Sequence, residues 1–397
     1  MRVIILGTGG VGVVVAQELE RHPDIADLAV ADVDLSRAKQ LVGKTARLKA
    51  HRVDATDYGQ LKKLLQGFNL VINALPPECN QNVMRASWSN GTHYLDMASG
   101  TIQGETIDES LQKQLELEED WKKSGLIALL HAGITPGITN IVAREGADRL
   151  DRTTRIIIRN FGRIDSHEPI SLWSPITALR DKAAEPLVFK NGAFQRVQPF
   201  QGEEEYDFPG IGTNSVVYYE HEEVCTLPRF IQGLRDVEYK MGGFDVTKYR
   251  ILFKEGLLND RPIKMNGFQV SPLQLLAAMT PPTITPEDLE KKIHDGTVSG
   301  SVSSRLVEIQ GEKDQRKSTL SFQILHPDVC QAFQRIWGAN HISYATGISA
   351  AAFAKAILKG KIERRGVFPP ECLESEARSF IFDDVKQHDI RVEQLLP

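Results

Sequence analysis

Cysteine is scarce in this 397-residue chain. The four cysteines, Cys79, Cys225, Cys330 and Cys372, form no CxxC pair and join no histidine at zinc spacing. That pattern argues against a disulfide framework and a structural metal, so no metal is expected. Long apolar runs are missing as well; a stretch such as Leu126 to Leu130 is far too short to span a bilayer. Neither sign of charge dominates. A net charge of −5 and the lack of any basic run leave little to hold a polyanion, so nucleic acid is not an expected partner. A first strand is expected from residue 2, leaving no room for a leader, and with reduced cysteines this places the protein in the cytoplasm. What remains is an ordinary globular composition, 41% hydrophobic and 25% charged, over a length that suggests two domains.

The most informative segment is Met1 to Gly12. Val3 to Leu6 is an apolar run suited to one buried parallel strand, and Gly7, Gly9 and Gly12 punctuate the entry to a helix from Val11 to Arg21. A G-x-G-x-x-G turn between strand and helix is the dinucleotide fingerprint in its required context. Gly7 permits the turn, Gly9 lets backbone approach a diphosphate, and Gly12 allows close packing. Gly7, Thr8, Gly9, Gly10, Val11 and Gly12 are therefore the expected diphosphate cradle, at a helix N-terminus that favours an anion. Asp32 ends the second strand, Leu28 to Ala31, twenty residues beyond Gly12. A carboxylate there accepts ribose hydroxyls and repels a 2′-phosphate, which favours NAD over NADP. Asp54 and Ala55 are expected near adenine, and Leu75 and Pro76 along the ribose and diphosphate.

Strands and helices alternate over the first 130 residues, which predicts a Rossmann-type doubly wound parallel sheet. Among these elements are a strand at 70–74, another at 93–98 and one long charged helix at 111–124. The character changes after Gly133. A helix is expected from Ile138 to Leu150, then β-rich segments at 154–161, 216–219, 237–241, 249–253 and 301–310. This half reads as an α+β domain on a mainly antiparallel sheet. Ser343 to Lys359, rich in alanine and glycine, is expected to dock back on the first domain. The reading is α/β, with a dinucleotide-binding domain at 1–132, an inserted substrate-binding and dimerisation domain at 133–340, and a returning segment at 341–397.

Several stretches together resemble the saccharopine dehydrogenase-like superfamily. They are the glycine turn, Asn73-Ala-Leu-Pro-Pro77, Gly91-Thr-His-Tyr-Leu-Asp96, Gly133-Ile-Thr-Pro-Gly-Ile-Thr-Asn140 and Arg365-Gly-Val-Phe-Pro-Pro-Glu371. Within it the chain is most similar to the lysine 6-dehydrogenases, through Ala31-Asp-Val-Asp-Leu35, Thr226-Leu-Pro-Arg229, Tyr239-Lys240 and the C-terminal ending. The resemblance implies NAD-dependent oxidative deamination of the ε-amine of L-lysine, giving a semialdehyde that cyclises to a piperideine carboxylate. It also implies a homodimer and an amino-acid substrate; the short apolar runs leave no membrane expected as a partner. Saccharopine reductases carry an acid before the Pro-Gly of the third stretch; Thr135 stands there instead, which weakens that branch.

Amine oxidation requires a neutral amine whose lone pair forms the imine as hydride leaves, and lysine near pKa 10.4 is charged at pH 7. The site must therefore desolvate the amine or offer a base. Asp96, ending a sheet strand, is the first candidate for base or ammonium ligand; the competing role is a cap that orders the loop. Lys240 is a candidate for proton transfer or a second anchor. Arg229 is the leading carboxylate anchor because its planar fork suits bidentate pairing. Thr226, Asn140, Trp173 and Ser174 are candidates for lining the substrate, set against packing in a strand, capping a helix, or a structural tryptophan. Two other readings compete: a saccharopine or carboxynorspermidine dehydrogenase-type enzyme acting on a secondary amine, and a non-catalytic NAD-binding regulatory protein.

Overall fold

The computed structural model describes residues 1–45, 47–100 and 105–396. Strands β1 (Arg2–Leu6), β2 (Asp27–Asp32), β3 (Leu48–Arg52), β4 (Leu70–Asn73), β5 (His93–Asp96) and β6 (Ile127–Leu129) alternate with helices. Then come β7 (Arg152–Ser166), β8 (Leu187–Lys190), β9 (Ala193–Arg196), β10 (Glu204–Phe208), β11 (Gly212–Tyr218) and β12 (Asp236–Gly242). A small hairpin, β13 (Ile263–Met265) and β14 (Phe268–Val270), precedes the long strands β15 (Val298–Lys313) and β16 (Arg316–Leu325). Near the end lie β17 (Gly366–Phe368) and β18 (Arg391–Leu395).

The first sheet runs β17-β6-β5-β4-β1-β2-β3, and all its pairings are parallel. Its central strands are continuous apolar runs because helices cover both faces; Val3, Ile4, Ile5 and Leu6 are all fully buried. The chain leaves β1 toward β2 on one side and resumes at β4 on the other, so the glycine turn after β1 lies at the switch point where such sheets bind ligands. The His341–Leu358 helix packs along the Gly10–Glu20 helix, and a Cβ on Gly347 would come within 2.6 Å of the Val14 side chain. Buried Lys355 bonds Glu18 at 2.7 Å and Asp384 at 3.0 Å, tying that helix to both neighbours.

The second sheet runs β10-β11-β12-β7-β15-β16-β18, with β8 beside β12 and β9 beside β8. Only β12 with β7 is parallel in this described set. The expected architecture, a doubly wound parallel sheet with an α+β unit on a mainly antiparallel sheet, is therefore present. Residues after 340 serve both sheets: β17 extends the parallel one beside β6, and β18 joins β16 of the other.

Three local expectations fail, each for a physical reason. The 111–124 segment is two helices, Ile107–Leu115 and Glu118–Lys123. Glu118, Glu119 and Asp120 sit in the first turn of the second, where carboxylates favour a fresh helix start. Residues 249–253 belong to the Val246–Lys254 helix rather than a strand, because the Asp245 carboxylate caps it by accepting from Lys248 N at 2.8 Å. Thr226 lies in the Glu222–Phe230 helix, not in a strand, because Glu222 and Glu223 occupy a first turn that favours carboxylates. Among the described residues, no helix is long and apolar enough to cross a membrane.

Candidate active site

The cofactor cradle forms at the carboxyl ends of β1, β2, β3 and β4. Gly7 has φ +94°, and a Cβ there would stand 2.6 Å from the carbonyl oxygen of Ala74. On Gly12 a Cβ would stand 2.0 Å from the carbonyl oxygen of Gly7, so only glycine fits. Gly9 is the opposite case: a Cβ there would meet none of the described residues beyond its chain neighbours within 4 Å, which leaves open space beside the helix N-terminus where a diphosphate fits. Asp32 is buried; its Oδ2 accepts from Thr8 N at 2.8 Å and Thr8 Oγ1 at 2.7 Å, and its Oδ1 accepts from Asp34 N at 3.0 Å. It braces the glycine turn and keeps acceptor capacity for a ribose hydroxyl. Asp54 is exposed and accepts from Thr56, while Ala55 is buried. Leu75 approaches Gly7, and its N–H donates to Asn73 Oδ1 at 3.3 Å; Pro76 follows it at the same strand end. The expected cofactor residues thus lie at the carboxyl ends of four strands of the parallel sheet.

Asp96 stands at the end of β5, 1% exposed, and every acceptor it offers is engaged inside the protein. Oδ2 accepts from Tyr94 at 2.9 Å and from Gln114 Nε2 at 2.8 Å, and Oδ1 accepts from His131 N at 2.8 Å. Burial raises its pKa against the pull of His131 and these donors. The chain of bonds fixes a direction. Gln114 gives its amide N–H to Asp96, so its Oε1 accepts from Ser99 Oγ at 2.7 Å. Ser99 Oγ must then accept from His131 Nε2 at 2.6 Å, and the buried Nδ1 of His131 has no partner among the described residues. Asp96 therefore acts in the structure as the organiser of this network.

A second cluster lies where the two units meet. His221 precedes the Glu222–Phe230 helix, contacts Glu223 Oε2 through Nδ1, lies 3.4 Å from Glu222 Oε2, and stacks on Tyr239 at 3.9 Å between centroids. Glu223 is fully buried and accepts from Thr135 Oγ1 at 2.8 Å and Thr139 Oγ1 at 2.7 Å. The Tyr239 hydroxyl accepts from Asn160 Nδ2 at 3.0 Å and meets Thr135 Oγ1 at 3.3 Å. Glu222 accepts from the backbone N–H groups of Ser99 and Gly100, both at 3.1 Å, which ties the cluster to the β5 loop.

Burial works against a charged His221, but Glu223 in contact, then Glu222 and Asp181, outweigh it and push its pKa up to about 9. Burial, with Glu222 and Glu220 adding repulsion, pushes the nearby Asp181 carboxyl up to about 7 against Lys182 and His221. His221, Glu222 and Glu223 offer donor atoms within 4.8 Å of one another, close enough for a cation, yet these atoms already bond one another and the threonines.

The expected substrate residues do not gather here. Arg229 is exposed, donating to Gln112 Oε1 at 2.9 Å and lying 5.8 Å over Phe194. Lys240 is buried on the opposite face of β12 from Tyr239, bonded to Glu204 Oε2 at 2.6 Å. Strand alternation put those two neighbours on different faces. Asn140 and Thr226 are fully buried and form a knot with Glu371: Asn140 Nδ2 donates to Glu371 Oε2 at 2.9 Å and to Thr226 Oγ1 at 3.3 Å. Trp173 is partly exposed, and Ser174 caps the Pro175–Ala183 helix. The adjacent Leu172 carbonyl accepts from Asn340 Nδ2 at 3.2 Å, which puts this stretch beside the start of the His341–Leu358 helix. Sequence reasoning missed His131, His221, Glu222 and Glu223. The available signal was the His-Glu-Glu run opening an otherwise apolar helix.

Residues 3–129 match the family described as the saccharopine dehydrogenase NADP binding domain, and residues 133–390 match the saccharopine dehydrogenase C-terminal domain. The chain belongs to the saccharopine dehydrogenase family. It is accordingly an NAD(P)-dependent oxidoreductase of the type that acts on CH–NH groups. Similar curated proteins include a carboxynorspermidine synthase of Vibrio cholerae, 28% identical over 94% of this chain and 92% of that one. A carboxyaminopropylagmatine dehydrogenase of Synechocystis is 26% identical over 93% and 92%. The fold is shared with saccharopine dehydrogenase (L-Glu forming) of Saccharomyces cerevisiae, at TM-score 0.70 and 19% identity over the whole of both chains. It is also shared with a homospermidine synthase from Legionella pneumophila solved with NAD, at TM-score 0.67 and 12% identity over 100% of this chain and 91% of that one.

Proposed function

We propose that this protein forms, and in reverse oxidises, a secondary amine that joins a primary amine to the aldehyde of an amino acid. The observation that carries this reading is the near whole-length likeness to relatives named for carboxynorspermidine and carboxyaminopropylagmatine, both amines extended by a carboxylated arm. In the forward direction, amine, aldehyde, NAD(P)H and a proton give secondary amine, water and NAD(P)⁺. The dinucleotide, when bound in the glycine cradle, supplies hydride to the imine carbon.

The chain's own residues suit the remaining steps. An amine arriving as ammonium must lose a proton before it can attack the carbonyl. Asp181, with its pKa near 7, is a base matched to that task at neutral pH. Water must then leave the carbinolamine with a proton supplied. His221 is cationic at pH 7 and has no protein partner on Nε2 among the described residues, so that atom is the donor. Glu222 and Glu223 favour the iminium that precedes reduction, because a nearby carboxylate stabilises a developing cation. Asp32 supports NAD over NADP through its carboxylate at the ribose position. The reading includes a cytoplasmic homodimer, which sedimentation of the purified protein would distinguish from a monomer.

Oxidative deamination of L-lysine, which the motif resemblance implies, shares the hydride step and differs in its product. The test is reduced-nicotinamide absorbance with NAD or NADP and a panel of carboxynorspermidine, saccharopine, L-lysine and L-ornithine. Reduction with carboxynorspermidine, together with release of a primary amine, is expected. Reduction with L-lysine accompanied by ammonia would replace this reading with the lysine one.

A further inference from the structure

Three arginines are buried among the described residues, and two of them are conventional. Arg159 pairs with Glu204 and Glu308, and Arg378 with Glu145 and Asp148. Arg305 is 3% exposed and, among the described residues, has no carboxylate within ion-pair distance. Its Nη1 donates to Ser303 Oγ at 3.1 Å, and its Nε has no partner. A guanidinium taken out of water with no carboxylate in contact is a costly arrangement; Glu223 acts on it only at longer range without offsetting burial, so something else is left to supply a contacting anion.

The surroundings indicate what that something is. Arg305 lies on β15 opposite Asn160 of β7, on the sheet face that carries Tyr239. His326 and His341 are close by, with near-parallel rings 6.1 Å apart. Burial, with the charge of Arg305 adding to it, lowers both of their pKa values, so both imidazoles are neutral. His326 Nδ1 lies 2.9 Å from the carbonyl oxygen of Pro327, which can only accept, so Nδ1 carries the proton. His326 Nε2 is then a bare acceptor, buried and without a partner, and His341 Nδ1 is likewise buried and unpartnered. The cluster offers a cation with no contacting anion beside the lone pair of His326 Nε2 and the unpartnered Nδ1 of His341. A simple anion would satisfy the cation and leave the lone pair empty.

We infer that Arg305, His326 and His341 bind the head group of an α-amino acid, with its carboxylate on the Arg305 guanidinium and its ammonium on the imidazole lone pairs. The inference rests on the amine-joining reading and names the end of the substrate that the reacting cluster does not touch. Position agrees with that division. His341 opens the helix whose Ser343 lies against Gly10 of the cofactor turn. β15, β7 and β12 are consecutive in the sheet, so Arg305 and Tyr239 are rooted two strand spacings apart, roughly 10 Å. An amino acid held by its head at Arg305 can extend its side chain toward the His221 and Tyr239 cluster. This assigns to Arg305 the anchoring role that sequence reasoning gave to the exposed Arg229.

The test is calorimetric binding to the full-length protein with NAD present. Three probes are used: L-homoserine, a stable alcohol in place of an amino-acid aldehyde; 3-amino-1-propanol, which lacks the carboxylate; and 4-hydroxybutyrate, which lacks the amine. L-Homoserine should bind at least tenfold more tightly than either truncated probe. Arg305→Met should abolish that preference, leave NAD affinity unchanged, and hold or raise the ligand-free Tm, because it removes an unpaired buried cation. A purely structural arginine would instead lower Tm on replacement. Arg305→Lys, which keeps a charge, should bind L-homoserine with intermediate affinity. Equal binding of the three probes by the wild-type protein, no saturable binding of L-homoserine, or unchanged preference in Arg305→Met would each overturn the assignment. These readouts need no turnover. Failure of the amine-joining assay with head-group preference intact would overturn the proposed reaction and leave the binding site standing.

Discussion

The imidazolium at His221 is the charge on which the proposed chemistry turns, and Glu223→Gln isolates it. In the wild-type protein burial opposes that charge, while Glu223, Glu222 and Asp181 hold the pKa near 9 instead of 6.5. At about 1.4 kcal/mol per pH unit this difference is worth about 3 kcal/mol, held almost wholly by a buried contact. The direction follows from linkage. A group whose folded pKa is raised binds its proton more tightly when folded, so its stabilisation is complete below pH 6.5 and is lost as pH rises toward 9. In Glu223→Gln the nearest carboxylate is gone, burial dominates, and His221 should titrate near or below 6.5. The assay is ¹³C-resolved histidine NMR across pH 5–10, with the His221 resonance identified by its disappearance in His221→Gln. The reasoning predicts a midpoint near 9 that falls by about two units or more in Glu223→Gln, and a Tm that declines between pH 6.5 and 9 only in the wild type. A wild-type midpoint below 7 would refute it and remove His221 as the proton donor.

Asp32→Ala should weaken NAD binding by about 1–3 kcal/mol, roughly 5- to 150-fold, since it removes both the ribose acceptor and the brace on Thr8; unchanged affinity by fluorescence titration would take Asp32 out of the site. Arg229→Ala, on an exposed side chain bonded to Gln112, should leave KM for the carboxylated substrate within about twofold; a large rise in KM would restore it as an anchor. Lys355→Met strips Glu18 and Asp384 of their buried ammonium and should cost about 3–5 kcal/mol, read as a clear drop in Tm. A Tm equal to wild type would show that His388, 3.2 Å from Glu18, can replace it.

The parallel sheet was legible because its signals are local. Val3 to Leu6, the glycines after them and Asp32 lie within one βαβ unit, where spacing along the chain maps directly onto position in space. The second half resisted reading for the converse reason. Tyr239 and Lys240 are adjacent in sequence yet face opposite sides of β12, and the register that sends Tyr239 toward His221 comes from pairing with β7, some eighty residues away. Composition also misled at 249–253, where aromatic and β-branched residues suggested a strand and one capping aspartate settled on a helix. An unpaired buried arginine such as Arg305 cannot be recognised before the fold is known, because its distinguishing property is what fails to meet it.

The order in which the parallel sheet closes has a consequence for synthesis. β6 is made early, but its outer edge is covered only when β17 arrives about 240 residues later, at ordinary elongation rates a delay of roughly 10–50 s. Throughout that interval the first lobe presents an open strand edge and the uncovered flank of the Gly10–Glu20 helix, both of which invite pairing with other chains. The first lobe is therefore finished only by chain made at the end of synthesis. A gene fragment ending before the His341–Leu358 helix would carry every cofactor residue discussed above and still lack the pieces that finish the lobe.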